Sequence, residues 1–432
     1  MSMAEVPFEQ DRTAVAPLAK PGEPGAALST ALTRSQWRFI VLLMLSVNIN
    51  FLDRGSLAAA APAIASELFL SPTKLGVLLS AFSWTYPPFL LIAGWAVDRY
   101  SVKWVFALGF LVWSLATLAS GLTHSFNMLL ALRLLLGIGE SVAYPAYSKL
   151  VASGFREQAR GFVNSLLDTG SKIGPGLAIL IGGLMVARFG WRALFWTMGA
   201  ASLLWLIPWI IWAPSDAGRH TNRQGAKVVR RIMTRRDAWG TFLGHFCANY
   251  SVYFLMTWLP AYLVMQRHYS MKLMAIWGSI PFMGSAVTSL AGGWLSDRWI
   301  ASGGRPTFVR KGFVATGLLF ASVMLPAPLL HNRAAEMTLL VVSLLAFGLF
   351  GSNVWALTQT LAGPEIVGTW AGIQTCIAAL AGIFAPLITG VIVTKTGSFF
   401  LAFLVSALML VVGAVSYFFI VTPDDALTRQ HN

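Results

Sequence analysis

Gly94-Trp95-Ala96-Val97-Asp98-Arg99 and Gly293-Trp294-Leu295-Ser296-Asp297-Arg298 are two copies of one pattern, G-W-x-x-D-R. Each copy closes the second long apolar stretch of its half of the chain. A six-residue match is modest by itself. Its position at corresponding helix ends makes it strong, and points to two halves repeated about an axis along a membrane normal, a transporter architecture.

The composition fits a chain whose main solvent is lipid. Hydrophobic residues are 56% of the 432 and charged residues only 11%, against about 25% charged in soluble domains. That is too little charge to cover a water-facing surface, which excludes a cytosolic enzyme, a secreted domain and a disordered scaffold. A membrane helix needs about 20 mostly apolar residues. Such stretches fall at about 37–59, 74–96, 104–121, 126–149, 159–186, 191–212, 238–264, 272–295, 309–329, 336–357, 366–393 and 398–420. Backbone groups in lipid must bond within their own segment, so these twelve spans are predicted helices, in two six-helix bundles.

The net charge is +14. With the N-terminus placed in the cytoplasm, 21 of the 31 Lys and Arg residues fall in cytoplasmic segments and 7 in external loops. The balance therefore sets topology, with both termini inside, and does not point to nucleic acid. Residues 1–36 read as a disordered cytoplasmic tail without a secretory signal, 37–212 and 238–420 as the two bundles, and 421–432 as a second tail. The linker 213–237 carries Arg219, Arg223, Lys227, Arg230, Arg231, Arg235 and Arg236, suited to an anionic leaflet. Cys247 and Cys376 lie apart in apolar stretches and the six histidines are scattered, so neither a metal centre nor a cofactor is expected.

Several motifs carry a resemblance. They are Asn50-Phe51-Leu52-Asp53-Arg54 in span 1, Phe82-Ser83-Trp84-Thr85-Tyr86 in span 2, Arg133 to Glu140 (R-L-L-L-G-I-G-E) in span 4, and Trp258 to Leu263 (W-L-P-A-Y-L) in span 7. With the loop Gly94 to Trp104, the chain resembles the major facilitator superfamily over residues 37–420, and within it the anion:cation symporter branch. That branch moves organic anions, many of them with protons. The resemblance implies proton coupling by Asp53 and Glu140, anion binding by Arg54, and a substrate contact at Tyr86. A monomer that takes a small organic anion, protons and membrane lipid as partners is expected, in a bacterial inner membrane.

Ionisable residues at bilayer depth are costly and mark pathways by default. Six stand out, all in the first half: Asp53, Arg54, Arg133, Glu140, Asp168 and Lys172. Asp53 and Arg54 point about 100° apart on a helix, so one faces the cavity while the other meets a neighbouring helix. Arg133 and Glu140 share a face about 10 Å apart. Asp168 and Lys172 are four apart in the order that favours a same-helix pair. Two readings stay open for them: self-neutralisation, or a cavity wall with Ser171 in which Lys172 reads a second anionic group. The six charges sum to zero, and protonating Asp53 and Glu140 leaves +2, which couples anion and proton binding reciprocally.

Neutral cavity candidates are Asn249, Tyr250 and Tyr253 in span 7, Ser352, Asn353 and Trp355 in span 10, and Gln374 and Thr375 in span 11. Phe51 stands where relatives often have Tyr, and Thr375 where they usually have Asn. Both departures favour a small carboxylate or sulfonate over a bulky sugar acid. Asp98, Arg99, Lys103, Asp297 and Arg298 at helix ends read as gates that bias the inward and outward states. Gly174-Pro175-Gly176 and Gly382 to Pro386 mark bends. Clustered catalytic groups and a phosphate-binding loop are missing from the sequence, which argues against a membrane enzyme. An exchanger or uniporter of the same fold is the alternative.

Overall fold

The structure, a computed structural model, describes residues 33–155, 157–214 and 225–421; the side chains of Asp98, Asp168 and Lys172 lie outside the described residues. The first half holds α1 (Arg34–Glu67), α2 (Pro72–Ser80), α3 (Phe82–Arg99), α4 (Val102–Ser120), α5 (Phe126–Glu140), α6 (Ala143–Gly154), α7 (Glu157–Phe189) and α8 (Trp191–Trp212). The linker contributes α9 (Gly225–Met233). The second half holds α10 (Arg236–Ala261), α11 (Met271–Ala301), α12 (Pro306–Ala321), α13 (Arg333–Ala379), α14 (Ala381–Thr396) and α15 (Phe400–Val415).

Among the described residues, ten stretches are long and apolar enough to cross a membrane. The pairs α2/α3 and α5/α6 each make one such stretch, and α7 and α10 bring the helical spans to twelve. The described part of α7, Ile173–Phe189, is apolar, whereas α10 falls short of the hydropathy of the others because it carries Thr241, His245, Asn249 and Ser251.

α13 is 47 residues long, which a straight helix would stretch over about 70 Å. Yet Thr358 donates to Oε1 of Gln374 at 2.9 Å, although 16 residues span about 24 Å on one helix. The chain therefore reverses between them. α13 is two antiparallel arms, Arg333–Ala362 and the arm that begins at Thr369 and continues through α14 to Thr396.

Helices approach through small residues, as membrane packing favours. A Cβ at Gly55 of α1 would fall 2.3 Å from that of Ala178 in α7. One at Gly348 of α13 would fall 2.5 Å from the Ser285 carbonyl of α11.

An aromatic core of Phe106, Phe110, Trp113, Trp205 and Trp209 fills the first half toward its linker end. A second core runs through the other half and takes in Leu57, Ile64, Leu75, Leu78, Leu194 and Phe195 of the first. The halves thus share a core toward the end opposite the linker. At that end Thr73 and Thr394 bond hydroxyl to hydroxyl at 2.7 Å. Gly76 and Gly390 lie so close that a Cβ at either would meet backbone oxygen at 2.6 Å. α9 docks through buried Ile232 while Arg230 and Arg231 stay exposed.

Candidate substrate and coupling site

The site begins with two glycines. A Cβ at Gly137 would come 2.5 Å from the Phe82 carbonyl of α3, and one at Gly139 would come 2.8 Å from the Trp113 nitrogen of α4. Glycine at both places lets α5 lie against α3 and α4 at once. Thr85 seals the first contact by donating to the Leu134 carbonyl at 2.7 Å. Glu140, at the end of α5 and 0% exposed, then reaches α1 and accepts from Nε of Arg54 at 2.7 Å.

Arg54 is held by aromatic faces as well. Its guanidinium lies 4.6 Å from the rings of both Phe82 and Tyr86, which stack on each other, and 5.4 Å from Phe51. Aromatic faces attract a cation strongly where water is excluded. Arg133, 2% exposed, donates to the Asp53 carbonyl at 3.4 Å and lies 5.3 Å from the Phe195 ring.

Arg54 and Arg133 line one small cavity of about 30 Å³ with Phe82, Ser83, Tyr253 and Thr257. Nη2 of Arg54 and both Nε and Nη2 of Arg133 are buried there without a hydrogen-bond partner among the described residues. Both carboxyl oxygens of Asp53, the residue before Arg54 and 1% exposed, are likewise buried without a hydrogen-bond partner among the described residues. Two guanidiniums with spare donors match the planar fork geometry of a carboxylate, or the oxygens of a sulfonate.

The Major Facilitator Superfamily model matches residues 43–386. The chain belongs to the major facilitator superfamily. It is 30% identical over 393 residues to the probable sulfoacetate transporter of Cupriavidus necator, covering 86% of this chain and 90% of that one. It is also 30% identical to the probable L-galactonate transporter of Escherichia coli, over 91% of each chain. The hexuronate transporter of Bacillus subtilis matches at 30% identity over 89% of this chain and 94% of its own. These relatives match the anion:cation symporter branch. Among solved structures, an inward-facing bacterial homologue of the human lysosomal transporter Spinster superposes with TM-score 0.77 at 20% identity, covering 90% and 98% of the two chains. The D-xylose–proton symporter gives 0.73 at 13%, covering 90% and 99%. The superfamily membership makes this chain a multi-pass membrane transporter and not an enzyme.

Within the superfamily fold, Asp53, Arg54, Arg133, Glu140, Tyr86 and Tyr253 come together. Ser171 instead lines a second cavity of about 140 Å³, with Ser251, Ser285, Ser289 and Ser343 of the other half. Asn249 is half-buried and donates to the His245 carbonyl at 3.0 Å. Ser352 is half-buried, and Asn353 ties back to the Gly292 carbonyl of α11 at 3.3 Å. Trp355 packs its ring edge-on against His245, with centroids 5.1 Å apart. Thr375 is exposed and donates to its own helix at Ala371. Gln374 makes the buried contact beside it.

The repeated loops share a contact that the motif spelling conceals. Arg99 lies 5.6 Å from the ring of Trp95 and Arg298 5.4 Å from that of Trp294, so each motif Arg covers its own motif Trp. Their i, i+4 spacing carries the signal. Asp297 pairs with Arg310 at 3.5 Å. The second half also holds a buried ion pair, at a helix end. Glu336 is 0% exposed, 2.6 Å from Arg267, and accepts from the Tyr262 hydroxyl at 2.5 Å. It sits in the first turn of α13, a place that reads as a helix end in sequence. Phe195 and Thr257 are not marked by the sequence, and Phe82 is marked only as part of the span 2 motif, because apolar and hydroxyl residues are ordinary in such spans.

Proposed function

We propose that this protein is a secondary active transporter that imports a small organic anion, a carboxylate or sulfonate, by proton symport with alternating access. The observation that carries the reading is the Arg54–Glu140 pair on the wall of a cavity that Arg133 shares. The names of the relatives, transporters of sulfoacetate, L-galactonate and hexuronate, support an organic anion.

An anion bound by Arg54 and Arg133 competes with Glu140 for Arg54. Displaced, Glu140 would be a buried carboxylate without its partner, which costs several kcal/mol. Taking up a proton removes that cost. Asp53, buried with both oxygens unbonded, faces the same choice. Anion and proton then enter together, since each favours the other. Tyr253 and Thr257 line the cavity from the second half, and Ser171, Lys172, Asn249, Ser352, Trp355 and Thr375 keep their place as candidates. The halves packed at Thr73–Thr394 and Gly76–Gly390 suit a state closed at the end opposite the linker. With the linker in the cytoplasm, that state is inward-facing. Asp98, Arg99, Asp297 and Arg298 would then act on the cytoplasmic gate. The protein works as a monomer in a bacterial inner membrane, with both termini inside.

The test is uptake into proteoliposomes under an imposed pH gradient. Acid outside should drive accumulation by the wild type. Glu140→Gln should abolish accumulation while leaving anion counterflow. Uptake that ignores the gradient would replace symport with exchange or uniport.

A further inference from the structure

The second half holds a buried polar relay that none of the charged residues explains. His245 of α10 is 7% exposed and sits between the two arms of α13. Its Nδ1 lies 2.9 Å from Nε2 of Gln374 on the second arm. Gln374, itself 0% exposed, accepts at Oε1 from Thr358 of the first arm. Phe350 and Trp355 close on the imidazole edge-on, with centroids 5.9 and 5.1 Å away.

In this arrangement Nδ1 accepts from the Gln374 amide, so the neutral ring carries its proton on Nε2. The relay also tolerates a charged ring. Turning the amide half a revolution lets Nδ1–H donate to Oε1 and Nε2 donate to the Thr358 hydroxyl. That hydroxyl's own proton then goes to the Val354 carbonyl, 3.0 Å away. The chain from Nδ1 through Gln374 and Thr358 to the Val354 carbonyl stays bonded in both states, the ring's Nε2–H is left for a ligand, and only the ring's charge differs. A buried imidazole usually lacks such freedom, because one state leaves an orphaned donor or acceptor.

Position gives the relay a use. His245, Asn249 and Tyr253 recur at four-residue intervals and share one face of α10. Tyr253 lines the Arg54 cavity. Eight residues place His245 about 12 Å along the helix from Tyr253, toward the linker end.

We propose that His245, positioned by Gln374, is a second oxyanion subsite that reads the far group of an extended dianion whose near group is held at Arg54. Nε2–H donates to the far carboxylate or sulfonate, and a proton taken from solvent onto the ring balances its charge. The titratable groups packed nearby are Tyr417 of the last span, next to Gly244 and Phe350, and Cys247 of α10. The inference rests on organic-anion transport being the function.

Binding to the purified full-length protein in detergent, measured by calorimetry, tests it with three probes. Glucarate is a six-carbon dianion, gluconate its monoanion counterpart, and sulfoacetate a dianion too short to reach. In His245→Gln, glucarate binding should weaken about tenfold or more, with gluconate and sulfoacetate changed less than about twofold. Gln374→Ala, which leaves the ring in place but unpositioned, should weaken glucarate in the same direction. Between pH 8 and pH 6, glucarate affinity should rise more steeply in the wild type than in His245→Gln. Equal losses for all three probes, or an unchanged glucarate-to-gluconate ratio in folded His245→Gln, would overturn the subsite. Arg54→Gln separates the two readings: it should abolish binding of every anion. Wild-type protein that binds none of the three would remove the functional reading itself and the subsite with it.

Discussion

Arg54 has three kinds of partner at once: a carboxylate, two stacked rings and a cavity. Lysine would keep the charge and lose the rest, since an ammonium has no planar fork and is more strongly hydrated. A cation–π contact with a desolvated ring is worth about 2 kcal/mol. Arg54→Lys is therefore expected to weaken anion binding about tenfold or more, measured by calorimetry, while the fold survives. An equal affinity would mean that charge alone matters there. At this scale the acidic and basic members of the site were legible in the sequence, because charge in an apolar span is conspicuous. The pairing was not. Sequence spacing on α5 separates Arg133 from Glu140, but only packing shows that Glu140 crosses to α1 while Arg133 bonds the Asp53 backbone. Aromatic residues hide among 12% of their kind, so the rings around Arg54 were partly concealed.

Among the elements, α5 decides the site. Gly137 and Gly139 set its distance from α3 and α4, and so the reach of Glu140. Leucine at Gly139 would drive a side chain into the Trp113 and Gly109 backbones, which lie 2.8 and 2.9 Å from an added Cβ. Overpacking of this kind costs about 1–3 kcal/mol. Gly139→Leu is expected to lower the apparent melting temperature in detergent and abolish uptake, whereas Gly94→Leu should do neither. Gly94 has open space where its Cβ would stand. Equal stability of the two variants would show that α5 is not wedged there. The extents of most helices followed from apolar length, since lipid forces each span to satisfy its own backbone. The reversal within α13 followed as well, since its two arms correspond to the separate spans 336–357 and 366–393 on either side of Gly363-Pro364, and the Thr358–Gln374 bond shows where they meet.

For the whole molecule, the end opposite the linker is the place where the halves are fastened. Cysteines at Thr73 and Thr394, whose hydroxyls are 2.7 Å apart, lie within reach of a disulfide. In a background with Cys247 and Cys376 replaced by Ser, oxidation of the Thr73→Cys/Thr394→Cys pair should stop transport and dithiothreitol should restore it. Full transport by the cross-linked protein would show that this end does not open. The reason for the two-bundle plan was written in the chain: scarce charge demanded lipid, and G-W-x-x-D-R at residues 94–99 and 293–298 exposed the duplication. Composition and periodicity are sums over local residues, so sequence alone determined the membrane setting, the spans and the charged members of the first-half site. Only the tertiary structure decided which charges meet, that His245 joins Gln374 between two arms of one helix, and which end holds the halves together. Those are contacts between residues tens to hundreds of positions apart, and they depend on how closely small residues let helices approach.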